Sequence, residues 1–177
     1  MTDFKDRVIR AAKLDVYLYE EVEADEGALG QAMLVVILSG VAAGIGTITK
    51  AGVGGIVMGT ISAIIGWYIW AYLTYIIGTK FLPEPQTRAD YKELLRTIGF
   101  SSSPGLIRVA GIIPGLTGII FSVAAVWMLV AMVIAVRQAL DYTGTLRAIA
   151  VCAIGWIIQA LIIMLLFSIL GGFPKPV

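Results

Sequence analysis

Ser101-Ser-Ser-Pro-Gly-Leu-Ile-Arg-Val-Ala-Gly-Ile-Ile-Pro-Gly115 is the stretch on which the fold turns. It lies between long apolar segments and is mostly apolar itself, yet it holds an arginine at its centre and a proline near each end. Ser103 is placed to cap a helix whose first position is Pro104, where the missing N–H is no loss. That helix can run to about Ile113, and Pro114 is placed to open the next one. Ten residues at 1.5 Å per residue cover about 15 Å, half of a roughly 30 Å hydrocarbon core. This segment therefore reads as a short arm, broken at Pro114, and its direction decides the topology of the rest.

Outward from it, the chain is a membrane protein by composition. Of 177 residues, 59% are apolar and 14% charged, against about 45–50% and 25% in a soluble domain. The mean hydropathy is +0.92. Between Gly27 and Thr79 the only formal charge is Lys50, and none occurs from Val109 to Val136 or from Ala148 to Pro174. Such runs are long enough to cross a bilayer as helices. Spans are expected at about 28–48, 55–79, 115–136 and 148–170, with the arm after Ser103 as the third of five. A net charge of +1 gives no reason to expect a nucleic-acid partner.

The basic residues set the orientation. Lys5, Arg7, Arg10 and Lys13 precede the first span. Lys80, Arg88, Lys92 and Arg96 lie between the second and third, and Arg137 and Arg147 flank the last turn. The other ends hold only Lys50 and Lys175. With a cytoplasmic N-terminus every basic segment falls inside. This requires residues 101–136 to be a hairpin with Pro114 near the outer side, and puts the C-terminus outside. The expected location is a cell membrane, crossed several times. The charged N-terminal segment lacks the basic tip and apolar core of a cleaved signal, so the first span is expected to direct insertion.

The domain plan is an N-terminal cytoplasmic segment over 1–26, a transmembrane domain over 27–172 and a tail over 173–177. Phe4, Val8, Ala11 and Leu18 recur near helical spacing, which fits an amphipathic helix on a membrane face. It fits equally a helix packed on the protein's own loops. Glu20 to Glu26 holds five carboxylates and reads as a solvated linker, because no calcium-loop spacing is present. A second amphipathic helix is expected over 87–98, capped by Thr87 with Asp90 three residues on. Its apolar face is Tyr91, Leu94, Leu95 and Ile98. Its polar face is Arg88, Lys92, Glu93 and Arg96, and Gly99 ends it.

Two small-residue pairs, Gly40 with Gly44 and Gly55 with Gly59, would let helices approach closely. Thr49 to Gly55 reads as a flexible turn. Trp67, Tyr68, Trp70, Tyr72 and Tyr75 encircle the second span, as packing plus an interfacial belt would place them.

Arg108 is the sharpest functional candidate. A charge at membrane depth costs at least about 2.5–3.5 kcal/mol on insertion scales and is normally paired, solvated or functional. Asp141 is one partner; a local Arg137–Asp141 pair competes for that carboxylate, and lipid phosphate is a third option. There is no histidine, and Cys152 is the single cysteine. It reads as a small buried residue. No nucleophile motif, phosphate loop or intramembrane carboxylate pair occurs. No enzyme activity, metal or cofactor is expected.

Two patterns resemble the Yip1 domain family, and most closely its short bacterial members. Gly99-Phe100-Ser-Ser-Ser-Pro104 looks like the family's Gly-Tyr-x-x-x-Pro signature, with Pro114 ten residues beyond. Trp127 and Val136-Arg-Gln-Ala-Leu-Asp-Tyr142 follow in order. The resemblance implies five transmembrane helices with a cytoplasmic N-terminus and, through the bacterial members, a bacterial inner membrane. Binding of Rab GTPases, implied for eukaryotic members, does not carry over, because their Asp-Leu-Tyr-Gly-Pro motif is missing here.

The functional expectation is a non-enzymatic protein that organises membrane or docks on other helices. Membrane lipids are the expected partners, with a larger membrane complex or a homo-oligomer as further partners. The alternatives are an accessory subunit of such a complex and a small-solute transporter or channel. Transport is disfavoured, because apart from Arg108 the spans carry only Gln31, Gln159 and scattered Ser and Thr.

Overall fold

A computed structural model describes residues 3–169. The tail at 173–177 and the last residue of the fifth expected span, Leu170, lie outside the described residues. The described chain is all helical: α1 (Phe4–Ala12), α2 (Val16–Ala24), α3 (Ala28–Gly46), α4 (Ile48–Ile76), α5 (Tyr91–Phe100), α6 (Thr117–Ala139) and α7 (Thr145–Ile169). A π turn, Ile77–Phe81, extends α4, and a 3₁₀ helix, Ser103–Ile112, follows α5. Four helices are long and apolar enough to cross a membrane: α3, α4 with its π turn, α6 and α7.

The expected turn at Thr49–Gly55 is tighter than the sequence suggested. α3 ends at Gly46, and the chain is helical again from Ile48, broken only at Gly52 (φ 61°, ψ −169°). No other residue type adopts that backbone without strain. α4 then returns antiparallel to α3. A Cβ on Gly40 would stand 3.1 Å from Thr60 Cα, and one on Gly44 2.6 Å from Ile56 Cα. The first small-residue pair is therefore a packing face, as expected. The second is not: among the described residues nothing lies within 4 Å of a Cβ on Gly59, and the close neighbour of one on Gly55 is Ala51 of the same helix. The partners of Gly40 and Gly44 are Thr60 and Ile56 instead.

The expected surface helix at 87–98 is not a surface helix. α5 begins at Tyr91, and every residue from Leu94 to Phe100 is buried. Asp90, not Thr87, caps it: its carboxylate accepts from the Lys92 N–H while Glu93 accepts from the Asp90 N–H. Thr87 instead donates to the Leu140 carbonyl, 2.9 Å away. Arg96, assigned to the polar face, is buried and donates to the carbonyls of Val22 and Glu23 in α2. Helical periodicity had placed the stripe but not its width: α5 is covered by α2, α3, α4 and α6.

After α5 the chain continues along α3. Three contacts define the direction. A Cβ on Gly99 would meet Ala32, one on Gly105 would meet Ser39 Oγ, and one on Gly111 would lie 3.2 Å from the Gly46 carbonyl. Both sequences ascend together, so α5 and the 3₁₀ helix run parallel to α3. At 1.5 Å and 2.0 Å per residue the two ten-residue pieces cover about 35 Å. The short arm expected after Ser103 is the second half of this longer rod. Its N-cap is Ser102 rather than Ser103, with no side-chain cap bond. Ser103 Oγ is buried without a hydrogen-bond partner among the described residues. Pro114 does not start the next helix either. It lies in the reversal that Gly115 completes at φ 84°, and α6 begins at Thr117. α6 descends antiparallel, with Phe121 beside Gly111 and Met128 beside Gly105.

The N-terminal residues join the same core rather than forming a separate segment. Ala11, Leu18, Tyr19 and Val22 are fully buried with Leu94, Ile98, Phe100 and Leu140. Leu14 (φ 63°) turns α1 into α2. The first helix packs on the protein along one face: Trp127 Nε1 of α6 donates to the Ala12 carbonyl at 2.8 Å. The acidic stretch is not a solvated linker. Most of it is helix α2, and Arg7, only 5% exposed, bonds Glu21 at 3.0 Å, Asp25 at 2.7 Å and Gln31 at 3.1 Å. Arg10 bonds Asp15 at 2.8 Å and Glu21 at 2.6 Å.

Candidate functional site: an arginine-headed cavity inside the bundle

The 3₁₀ helix explains how Arg108 is held. With three residues per turn, Gly105, Arg108 and Gly111 stand in one line. The two glycines let that line press against α3 and α6, and the arginine is carried inward between them. Its Nε donates to the Gly105 carbonyl at 3.0 Å. Its Nη2 donates to the Ser39 carbonyl at 3.2 Å and to Ser39 Oγ at 2.6 Å. Ser39 is set about 16 Å along α3 from its first residue and about 10 Å from its last. The guanidinium is thus well inside the bundle, not at its rim.

Neither expected ion pair forms. Among the described residues Arg108 touches no carboxylate. Arg137 donates to the Tyr142 and Thr143 carbonyls, both at 3.3 Å, and to Thr145 Oγ1. Its guanidinium therefore closes the α6–α7 turn rather than pairing with Asp141. Asp141 sits in that turn with φ 52°, a left-handed position that short polar side chains tolerate best. Its carbonyl, not its carboxylate, accepts from Gln86.

A cavity of about 300 Å³ opens beside Arg108. Its polar lining is Ser39, Ser102, Arg108 and Gln159, and its walls include the indoles of Trp67, Trp70 and Trp156. Two of those rings are anchored: Trp67 Nε1 donates to the Leu95 carbonyl at 3.0 Å, and Trp70 Nε1 to Met132 Sδ at 2.8 Å. The aromatic ring of the second span is thus partly inward, as its spread round the helix required. An apolar groove of about 450 Å³ lies between α6 and α7, lined by Val130, Val133, Ile149 and Cys152. Trp156 borders both spaces. The sequence pointed to Arg108. It did not point to Ser39 or Gln159 as its company, although the Gly105, Arg108, Gly111 period of three was there to be read.

The signature residues are structural. Gly99 lets α5 touch α3, since a Cβ there would come within 2.7 Å of Ala32 Cβ. Phe100 is fully buried, and Pro104 is buried where the 3₁₀ helix begins. Residues 18–168 match the family model described as Yip1 domain. The chain belongs to the Yip1 domain family. The match runs from α2 into α7 and includes the whole Arg108 cavity. No curated protein and no solved structure matches the chain.

The charged end of this Yip1 domain is a second cluster. Glu84 bonds the Thr143 N–H at 3.1 Å, the Thr143 hydroxyl at 2.9 Å and Arg147 at 3.4 Å. The Thr143 N–H is the chief reason its carboxyl titrates below the usual range. Glu20 accepts from Gln138 at 2.8 Å. Burial, then the charges of Asp141 and Glu93, push the Glu23 carboxyl up to about 7. The C-terminal half of α2, the loop after the π turn and the α6–α7 turn thereby share one end. Among the described residues no three carboxylates or thiols stand so as to hold a metal ion.

Proposed function

We propose that this Yip1-family chain is a non-enzymatic membrane protein with five crossings that acts by contact with lipid and with other helices. The crossings are α3, α4, the α5–3₁₀ rod, α6 and α7. The carrying observation is the partition of its surface. Val57, Ile61, Ile65 and Ile69 of α4, Ile119, Val123 and Val126 of α6, and Ile157 and Leu161 of α7 are all exposed. Exposed apolar faces on long helices suit a lipid solvent, and Lys80, Arg88 and Lys92 are exposed in the segments around the α6–α7 turn at one end. That end is assigned to the cytoplasm of a bacterial cell, where basic residues meet anionic headgroups.

A second reading, an accessory subunit or homo-oligomer, draws on α4. A Cβ added at Gly54 or Gly59 would have nothing within 4 Å, so small residues on an outward face are free to receive another helix. Purification in a gentle detergent tests the two. A lone protein that alters the shape of anionic vesicles on reconstitution supports the first. Stoichiometric recovery with a larger membrane protein, lost in Gly59→Leu, supports the second and sinks the first.

A further inference from the structure

We propose that the Arg108 cavity binds the oxyanion head of an anionic lipid, whose acyl chain runs past Trp156 into the α6–α7 groove. This rests on the reading of the bundle as membrane-spanning, and adds a ligand to it.

Four observations converge. First, Arg108 carries its charge without a counterion among the described residues, deep in a bundle where an uncompensated charge is costly. Second, its bonds to Ser39 and Gly105 use Nε and Nη2 only. Both hydrogens of Nη1 are without a partner among the described residues, so a donor edge is left over. Third, Arg108 lines the 300 Å³ cavity together with the side-chain amide of Gln159 and the hydroxyl of Ser102. A guanidinium edge beside neutral donors is the donor set an oxyanion takes, and the volume is at the lower end of ligand sites. Fourth, Trp156 lines both this cavity and the apolar α6–α7 groove, so the two spaces adjoin at one indole. A polar head on Arg108 and a hydrocarbon tail between Val133 and Ile149 divide the two spaces between the two halves of one amphiphile. The shared chemistry at the head is a phosphate or carboxylate. The groove is what selects a lipid over a free ion.

The test compares dioleoyl phosphatidic acid with dioleoylglycerol, which has the same chains and no charge, and with inorganic phosphate. The full chain in detergent is titrated with each, and adducts are counted by native mass spectrometry. Phosphatidic acid is expected to be retained at least tenfold better than dioleoylglycerol. Arg108→Gln should abolish that preference. Because Arg108 also ties the 3₁₀ helix to α3, Gly66→Leu is the second variant. Gly66 lines the cavity, and a Cβ there meets nothing within 4 Å among the described residues, so a leucine starts into open space at the cavity wall. It should lower retention tenfold while the protein stays folded. Equal retention of the two lipids, or unchanged retention by Gly66→Leu, overturns the proposal. Retention of inorganic phosphate equal to that of phosphatidic acid overturns the lipid assignment in favour of a free oxyanion at Arg108. Each of these failures leaves the membrane-spanning reading standing, because that reading is decided by topology and not by ligand.

Discussion

Arg108 rests on Ser39, with Nη2 2.6 Å from Oγ and 3.2 Å from the carbonyl of the same residue. One residue of α3 thus offers the guanidinium both a side-chain and a main-chain acceptor. The pairing joins two segments 69 residues apart in sequence and stands in place of an ion pair. Ser39→Ala should lower stability by about 1.5–3 kcal/mol, the range for a hydrogen bond to a charged group, read as a drop in thermal midpoint in detergent. Charge reversal at Asp141 should add independently to any Arg108 substitution, within about 0.5 kcal/mol. Coupling above that in the double-mutant cycle would restore the Arg108–Asp141 pair.

The glycines separate by what faces them. Gly99→Ala forces a methyl onto Ala32 and should destabilise by about 1–3 kcal/mol, the usual cost of overpacking. Gly59→Ala meets open space and improves helix propensity by about 1 kcal/mol. It should be neutral or stabilising, measured by the same thermal midpoint.

Arg7 is the pin that holds α1 and α2 to the bundle, through Glu21, Asp25 and Gln31. It also holds the Asp25 carboxyl below the usual range. Arg7→Ala removes the cation from Asp25 and Gln31 and leaves Glu21 to Arg10. The loss should be about 2 kcal/mol or more, since removing one member of a buried pair is costly. Trypsin cleavage after Lys13, which follows the α1 helix, should accelerate accordingly. An unchanged digestion rate would show that the apolar contacts of Leu18 and Val22 suffice.

Glu23 predicts a pH dependence. Its carboxyl titrates near 7 in the folded protein, from an ordinary value of 4.5. The folded state therefore holds this proton more tightly than the unfolded state. Stability from this group is fully present below about 4.5 and falls as pH rises through about 7. Burial leads, with Asp141, Glu93 and Glu20 adding repulsion against the attraction of Arg96. Glu23→Gln should flatten the thermal midpoint between pH 5 and 8 and raise it at pH 8. A wild-type profile unchanged by Glu23→Gln would place the titration elsewhere.

The α5–3₁₀ rod makes a sidedness prediction. In a Cys152→Ser background, Lys92→Cys and Ile113→Cys should label from opposite faces of the membrane, and Lys50→Cys from the same face as Ile113→Cys. Labelling of Lys92→Cys and Ile113→Cys from one face would mean that the rod does not cross.

Composition alone determined a helical membrane-protein class and the four long apolar helices. These follow from local hydropathy and from connectivity, which need no knowledge of neighbours. Three-residue periodicity in Gly105, Arg108 and Gly111 also lay in the sequence, but its meaning depended on a helix type that tertiary contact selects. Only the tertiary structure decided that α5 is interior. Arg96 there is charged and would read as exposed on any helical wheel, yet the carbonyls of Val22 and Glu23 satisfy it from a helix 73 residues earlier. Only the tertiary structure, too, gave Arg108 the serine rather than the aspartate. Hydropathy records what a side chain prefers as solvent. It does not record which distant carbonyl is near enough to replace that solvent, and the length of the third rod depended on that replacement.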